Sequence, residues 1–170
     1  MRRLLILIII AVAISMFLRA YCIEGIYVAS ASMEPTLKTG SFFFLEKVSY
    51  RVRPVKRGEI VVFPSPASAD DKELIKRVMA VGGDTIEIRE KAVFINGAEL
   101  KETYVKHTRA NEELVDDNLG PLSVPRGMVF VMGDNRDESG DSRDWKDPAT
   151  KQHIYFIAVE NIKGRILELY

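Results

Sequence analysis

The sequence predicts a mainly β domain, an antiparallel sheet with a small polar excursion, preceded by one membrane-spanning helix. Three observations carry that reading. Short β-branched and aromatic runs recur from Ser41 onward, with turn residues between them. Long helical patterns are few beyond the start of the chain. The chain itself opens on Leu4–Leu18, 15 uncharged and mostly aliphatic residues behind Arg2 and Arg3.

The elements follow in order. As a helix, Leu4–Leu18 is about 22 Å long, short of the ~30 Å hydrocarbon core. Arg19 can snorkel, and Ala20–Ile26 adds only Glu24 as a further charge, so a span of about 20 residues is expected. Arg2 and Arg3 put the N-terminus in the cytoplasm and the rest of the chain outside. A cleaved secretory signal competes with this: the basic start, apolar core and Ala29-Ser30-Ala31 match its pattern. The spacing opposes cleavage, since Arg19 and Glu24 both lie between Leu18 and Ala31. The division expected is an anchor at 1–22 and an exported domain at 23–170, with a loop or small subdomain at 97–125.

Within that domain, strands are expected at Ser41–Leu45, Glu59–Phe63, Leu74–Val81, Thr85–Ile88 and Ala92–Ile95. Asn96-Gly97 makes a hairpin turn before Ala98–Leu100. Gly127–Met132, Ile154–Val159 and Ile162–Leu169 complete the set. Lys101–Pro125 is polar and reads as an irregular surface excursion away from the core sheet.

Composition excludes more than it identifies. The 170 residues carry 24 basic and 24 acidic side chains. Setting aside Arg2, Arg3 and Arg19 leaves 21 against 24, with no basic stripe for a nucleic acid. Cys22 is the one cysteine, so no intrachain disulfide forms. No glycosylation sequon, internal repeat or low-complexity tract occurs.

Three segments carry candidate chemistry. Ser32 lies in Ser30-Ala31-Ser32-Met33-Glu34-Pro35, where Pro35 imposes an extended or turn backbone. No G-x-S-x-G and no S-x-x-K accompanies it, so locally it could be an ordinary turn serine. Lys76 interrupts the apolar run Leu74–Val81 and shares a strand face with Leu74 and Val78. If that face is buried, desolvation leaves a neutral amine able to accept a proton. The plain alternative is an edge-strand lysine that discourages aggregation. Gly133–Asp144 mixes acids and bases densely after an apolar strand. It fails as a calcium loop, since a start at Asn135 places Lys146 where a bidentate Glu belongs. His107 and His153 lack metal-ligand spacing. The remaining reading is a turn-rich loop of self-paired Asp and Arg.

Together and in this order, these segments resemble the type I signal peptidases of the bacterial Ser-Lys type. The resemblance rests on Ser30–Leu37, Arg57–Phe63, Lys76-Arg77-Val78 with Gly82-Gly83-Asp84, and Gly133–Arg143. Glu160–Arg165 is similar to the family's closing strand, and the likeness spans essentially the whole chain. Glu138 stands where many bacterial members have Asn, and Ala31 where Gly is frequent. The endoplasmic-reticulum branch has His at the place of Lys76.

The resemblance implies a membrane-bound serine endopeptidase that removes signal peptides after A-x-A-like sites. It makes Ser32 the nucleophile and Lys76 the general base, with Ser30 in the oxyanion site and Ser139 orienting the lysine. Asp141, Arg143 and Arg77 would support the site, and Met33, Leu74 and Ile75 would contact the substrate. It implies no cofactor, metal or nucleic acid. The partners implied are preproteins and the lipid bilayer, with functional proximity to the secretion machinery. The place implied is the outer side of the bacterial cytoplasmic membrane, periplasmic or extracellular, on a single-pass anchor. A Ser-Lys self-processing peptidase and a non-enzymatic exported β-domain remain the other classes.

Overall fold

The first element, α1 (Arg2–Tyr21), is a helix of 20 residues with every side chain exposed. At 1.5 Å per residue it is about 30 Å long, the thickness of the hydrocarbon core. It is long and apolar enough to cross a membrane. Its length comes from Arg2, Arg3 and Arg19 joining the helix. The extension toward Ile26 expected from composition does not occur, because the chain turns at Cys22 into β1 (Ile23–Tyr27). The computed structural model describes residues 2–68 and 72–167.

The remaining elements are β2 (Phe42–Glu46), the short helix α2 (Ser49–Val52), β3 (Ile60–Pro64) and β4 (Glu73–Val81). Then come β5 (Thr85–Arg89), β6 (Ala92–Ile95), β7 (Ala98–Glu99), β8 (Leu119–Ser123) and β9 (Met128–Met132). The last are β10 (Ile157–Ala158) and β11 (Gly164–Leu167). Seven strands form one sheet in the order β1-β2-β11-β3-β4-β9-β10, all neighbours antiparallel, and four form a second, β7-β6-β5-β8. The mainly β, antiparallel architecture is the one expected.

Four expectations need correction. Lys101–Pro125 is not wholly irregular: Leu119–Ser123 pairs with β5, because Leu119 and Leu122 bury against Ile86 and Ile88. Nor does it all stand away from the core sheet, since Lys106 bridges to Asn135. Ile154–Val159 narrows to two strand residues, since only Ile157 and Ala158 reach β9. The closing strand starts at Gly164; Glu168 and Leu169 lie outside the described residues.

Period-two burial explains the larger sheet. In β2, Phe43 and Leu45 turn inward while Phe42 and Phe44 stay 75% and 50% exposed. Val61 and Phe63 of β3 enter one cluster with Val78, Val131 and Trp145, and Val62 enters another with Ile26, Met33 and Leu45. The sheet is therefore covered on both faces at its centre. The smaller sheet closes on Asn96 and Gly97, whose φ of +54° and +82° are those of a type I′ turn.

Candidate active site

The pairing pattern itself brings the candidate residues together. Four successive antiparallel pairings separate β1 from β4, so the two strands run parallel. Ser32 follows the C-terminal end of β1, and Lys76 lies midway along β4. Among the described residues both strands have a free edge: β1 pairs with β2 alone, and β4 meets β9 only from Arg77 onward, which leaves Glu73–Lys76 open on that side. Between these edges runs a slot of about 430 Å³. Ser30, Ser32, Met33, Leu74, Ile75 and Lys76 all line it, with Val62 of β3 also in its wall.

Ser32 sits in a single 3-10 turn, Ala31–Met33, pinned by its neighbours. Met33 is fully buried in the core. The Asn135 N–H donates to the Ser32 carbonyl at 3.1 Å, and Asn135 Nδ2 donates to the Ala31 carbonyl at 3.2 Å. The Ser32 and Ser30 hydroxyl oxygens are 3.2 Å apart. The nucleophile candidate thus carries a second hydroxyl beside it on a turn held from below.

Lys76 is 2% exposed and forms no ion pair among the described residues. Burial lowers its pKa to about 8, against an opposing pull from the carboxylates of Asp141 and Asp144. A buried amine of this kind can be neutral near neutral pH, which is what a general base requires.

The loop after β9 forms the support. Ser139 Oγ donates to Asp141 Oδ2 at 2.8 Å, the Gly133 N–H donates to the same oxygen at 3.0 Å, and Arg143 Nε donates to Asp141 Oδ1 at 2.8 Å. Burial works to raise the Asp141 pKa, but Arg143 and these donors outweigh it and hold the carboxyl below the usual range. The Ser139 hydroxyl is committed as a donor, so its lone pairs are what it offers to other groups. Within 3.5 Å it makes no hydrogen bond to Lys76 among the described residues. Arg77 grips Asp134 with two bonds of 2.8 and 2.6 Å, and Thr36 Oγ1 donates to the same carboxylate at 2.5 Å. That pair ties β4, the Ser32 turn and the loop after β9 into one unit.

Several residues escape a reading of the sequence. Gly133 is wedged between the two serines: a Cβ there would lie 2.5 Å from the Ser32 carbonyl oxygen and 2.6 Å from Ser139 Cβ, with Ser139 Oγ closer still. Its position directly after an apolar strand was a signal available in the sequence. Glu102, Tyr104 and Lys106 gave no signal, because they sit in the polar excursion. Tyr104 stacks on the Arg77 guanidinium at 3.9 Å and donates to Glu102 at 2.8 Å. Glu102 also pairs with buried Arg136, which donates to the Gly133 carbonyl at 3.2 Å. His107 Nδ1 lies 3.2 Å from Asp137, and exposed His153 stacks on Tyr155. Among the described residues, no group of three His, Cys, Asp or Glu is placed to hold a metal.

The sequence profile of the family described as signal peptidase, peptidase S26, matches residues 1–170. A signal peptidase I from Bacillus licheniformis is 39% identical over 142 residues, 80% of this chain and 74% of that protein. Signal peptidase I P from Bacillus subtilis subsp. natto is 36% identical over 151 residues, 86% of this chain and 80% of that one. The crystal structure of a signal peptidase I from Enterococcus faecalis V583 superposes with a TM-score of 0.50 at 28% identity, covering 69% of this chain and 99% of that one.

Proposed function

The chain belongs to the peptidase S26 family and is a signal-peptide-cleaving peptidase, and we propose that it acts through a Ser32–Lys76 dyad at the outer surface of the bacterial cytoplasmic membrane. Membership decides among the three classes that the sequence left open. The observation that carries the dyad is the parallel course of β1 and β4, which delivers a pinned serine and a buried lysine to one slot.

In this reading neutral Lys76 takes the Ser32 proton as the hydroxyl oxygen attacks the scissile carbonyl carbon. The Ser32 N–H and the Ser30 hydroxyl receive the developing oxyanion, a contact type worth about 3–4 kcal/mol. Protonated Lys76 then donates to the leaving amine, and a water activated by the same lysine hydrolyses the acyl-serine. With a pKa near 8, about a tenth of the enzyme holds the neutral base at pH 7. Asp141, Arg143 and Arg77 hold the loop and strand that present the lysine, and Ser139, which makes no hydrogen bond to Lys76 in this structure, would orient it through its open lone pairs. No cofactor enters these steps.

The substrate adds as a strand between the free edges of β1 and β4, beside Leu74 and Ile75. Alternate side chains then enter shallow pockets near Met33, which suits small residues at the first and third positions before the cut. The apolar helix fits a membrane-anchored enzyme. A cytoplasmic N-terminus and a catalytic domain outside follow from Arg2 and Arg3, and an anchor ending near residue 22 from the end of α1 at Tyr21. Sharing a bilayer with the preprotein raises their effective concentration, and proximity to the secretion machinery would add to it. Detergent-solubilised protein should cut a model preprotein after an A-x-A site, as located by product mass. Ser32→Ala should be inert while folded; cleavage by Ser32→Ala would remove the dyad.

A further inference from the structure

One end of the slot is charged, and its charges are not balanced alike. Glu24, Lys72 and Glu73 line it. Lys47 neutralises Glu24 and Lys163 neutralises Glu73, each at 2.5 Å. Lys72 is exposed and forms no ion pair among the described residues. Among the described residues, Lys72 is thus the one charge at this end of the slot without a partner.

The fold also sets which part of a substrate reaches it. β1 begins two residues after α1 ends, and β4 runs parallel to β1. The N-terminal ends of both strands therefore face the anchor, with Lys76 three residues beyond the start of β4 and Ser32 beyond the end of β1. A preprotein whose apolar segment shares the bilayer with α1 enters past Glu24 and Lys72 and is cut beyond them. From Lys76 back to Lys72, one residue before β4 begins, is four residues, about 13 Å if extended. With the residue before the cut level with Lys76, the fifth residue before the cut lies level with Lys72. Alternation puts the first, third and fifth substrate residues on one face, as it does Lys76, Leu74 and Lys72.

We propose that Lys72 is a specificity-determining residue that selects an acidic, and rejects a basic, side chain at the fifth residue before the cut. The proposal rests on the signal-peptidase reading and adds a charge rule to it. An exposed pair of this kind is weak and screened by salt, so the effect is a few-fold preference.

The test uses the detergent-solubilised full chain and three peptides that differ only in Glu, Gln or Lys at that position. Ratios of kcat/KM are compared within each enzyme, so differences in absolute activity cancel. The wild type should favour Glu over Lys by about three- to ten-fold at low salt, with Gln between. Lys72→Gln should bring the ratio near one, Lys72→Glu should invert it, and 1 M salt should flatten it. An equal ratio in all three enzymes would overturn the proposal. So would a wild-type ratio of one, or a charge effect seen only at the fourth or sixth position. Failure of the wild type to cut even the Gln peptide at the expected bond would instead overturn the parent reading, and the charge rule with it.

Discussion

The Lys76 ammonium, buried to 2% exposure with no ion pair among the described residues, loses hydration that Asp141 and Asp144 only partly return. That imbalance makes Lys76 costly to bury in its charged form and readier to lose its proton. Its pKa is about 8 in the fold against the ordinary 10.5, so between those values the unfolded chain binds the extra proton and stability rises with pH. Lys76→Met should therefore be inactive yet more stable than wild type at pH 7, by roughly 1–3 kcal/mol, with the gap closing as pH climbs from 8 to 10.5. Urea unfolding at pH 7 and pH 10 checks this; an equal gap at both would contradict it. Wild-type activity should rise toward pH 8, and Lys76→Arg should be inactive because guanidinium keeps its proton. A flat profile from pH 5 to 9 would remove the neutral-lysine base. Gly133→Ala is the second residue-scale case. Its Cβ displaces either Ser32 or Ser139, and a shift near 1 Å is worth about a 100-fold loss in kcat. Circular dichroism should show the fold retained. Lys76 was legible in the sequence because a charge broke an apolar run. The spacing between Gly133 and the two serines was not, because it is a distance across the chain.

At the scale of elements, the segment from Glu102 to Arg109 straps the loop after β9. The Lys106 N–H donates to the Asp134 carbonyl, the Arg136 N–H donates to the Lys106 carbonyl, and the Arg109 N–H donates to Asp137. Glu102 anchors the strap through Arg136, both side chains being buried. Glu102→Ala should strand that guanidinium and cost about 3–5 kcal/mol, measured as a lowered urea midpoint. Glu102→Gln should cost clearly less, since it keeps an acceptor for Arg136. Equal losses in the two variants would show that the carboxylate's bonding is not the cause. The strap reads as loop because its contacts lie with Asp134–Asp137 and not with its own neighbours. β8 is hidden in sequence by Gly120 and Pro121, which tertiary pairing with β5 overrides. β1 is hidden for a different reason: Ile23 and Ile26 extend the apolar anchor without a break in composition. β3, β4, β5, β6 and β9 were legible because each is a β-branched run closed by turn residues.

The whole molecule couples an apolar helix to a sheet with exposed aromatics beside it. Phe42 packs at a tilt against Tyr27 with ring centroids 5.0 Å apart, Phe44 is half exposed, and Val52 of α2 is 81% exposed. Deleting residues 2–22 should leave turnover of a short soluble peptide within about two-fold, because every slot residue lies beyond the cut. Cleavage of a membrane-embedded preprotein should fall much further, since co-localisation is lost. Both rates measured on one truncated preparation settle the matter; an equal drop in each would make the anchor part of the fold. The truncated protein should still float with lipid vesicles, through Phe42, Phe44 and Tyr27. The sequence alone determined the apolar helix, the β class and most strand positions, because period, turn chemistry and residue type act over a few neighbouring positions, whereas the roles of Ser32 and Lys76 came from the family resemblance of the motifs that hold them. Only the tertiary structure decided that β1 and β4 run parallel with free edges among the described residues, that Lys76 is buried, and that the polar excursion holds the loop after β9. Those facts depend on strand order and register, which are set by how distant faces bury one another and leave no local trace in the chain.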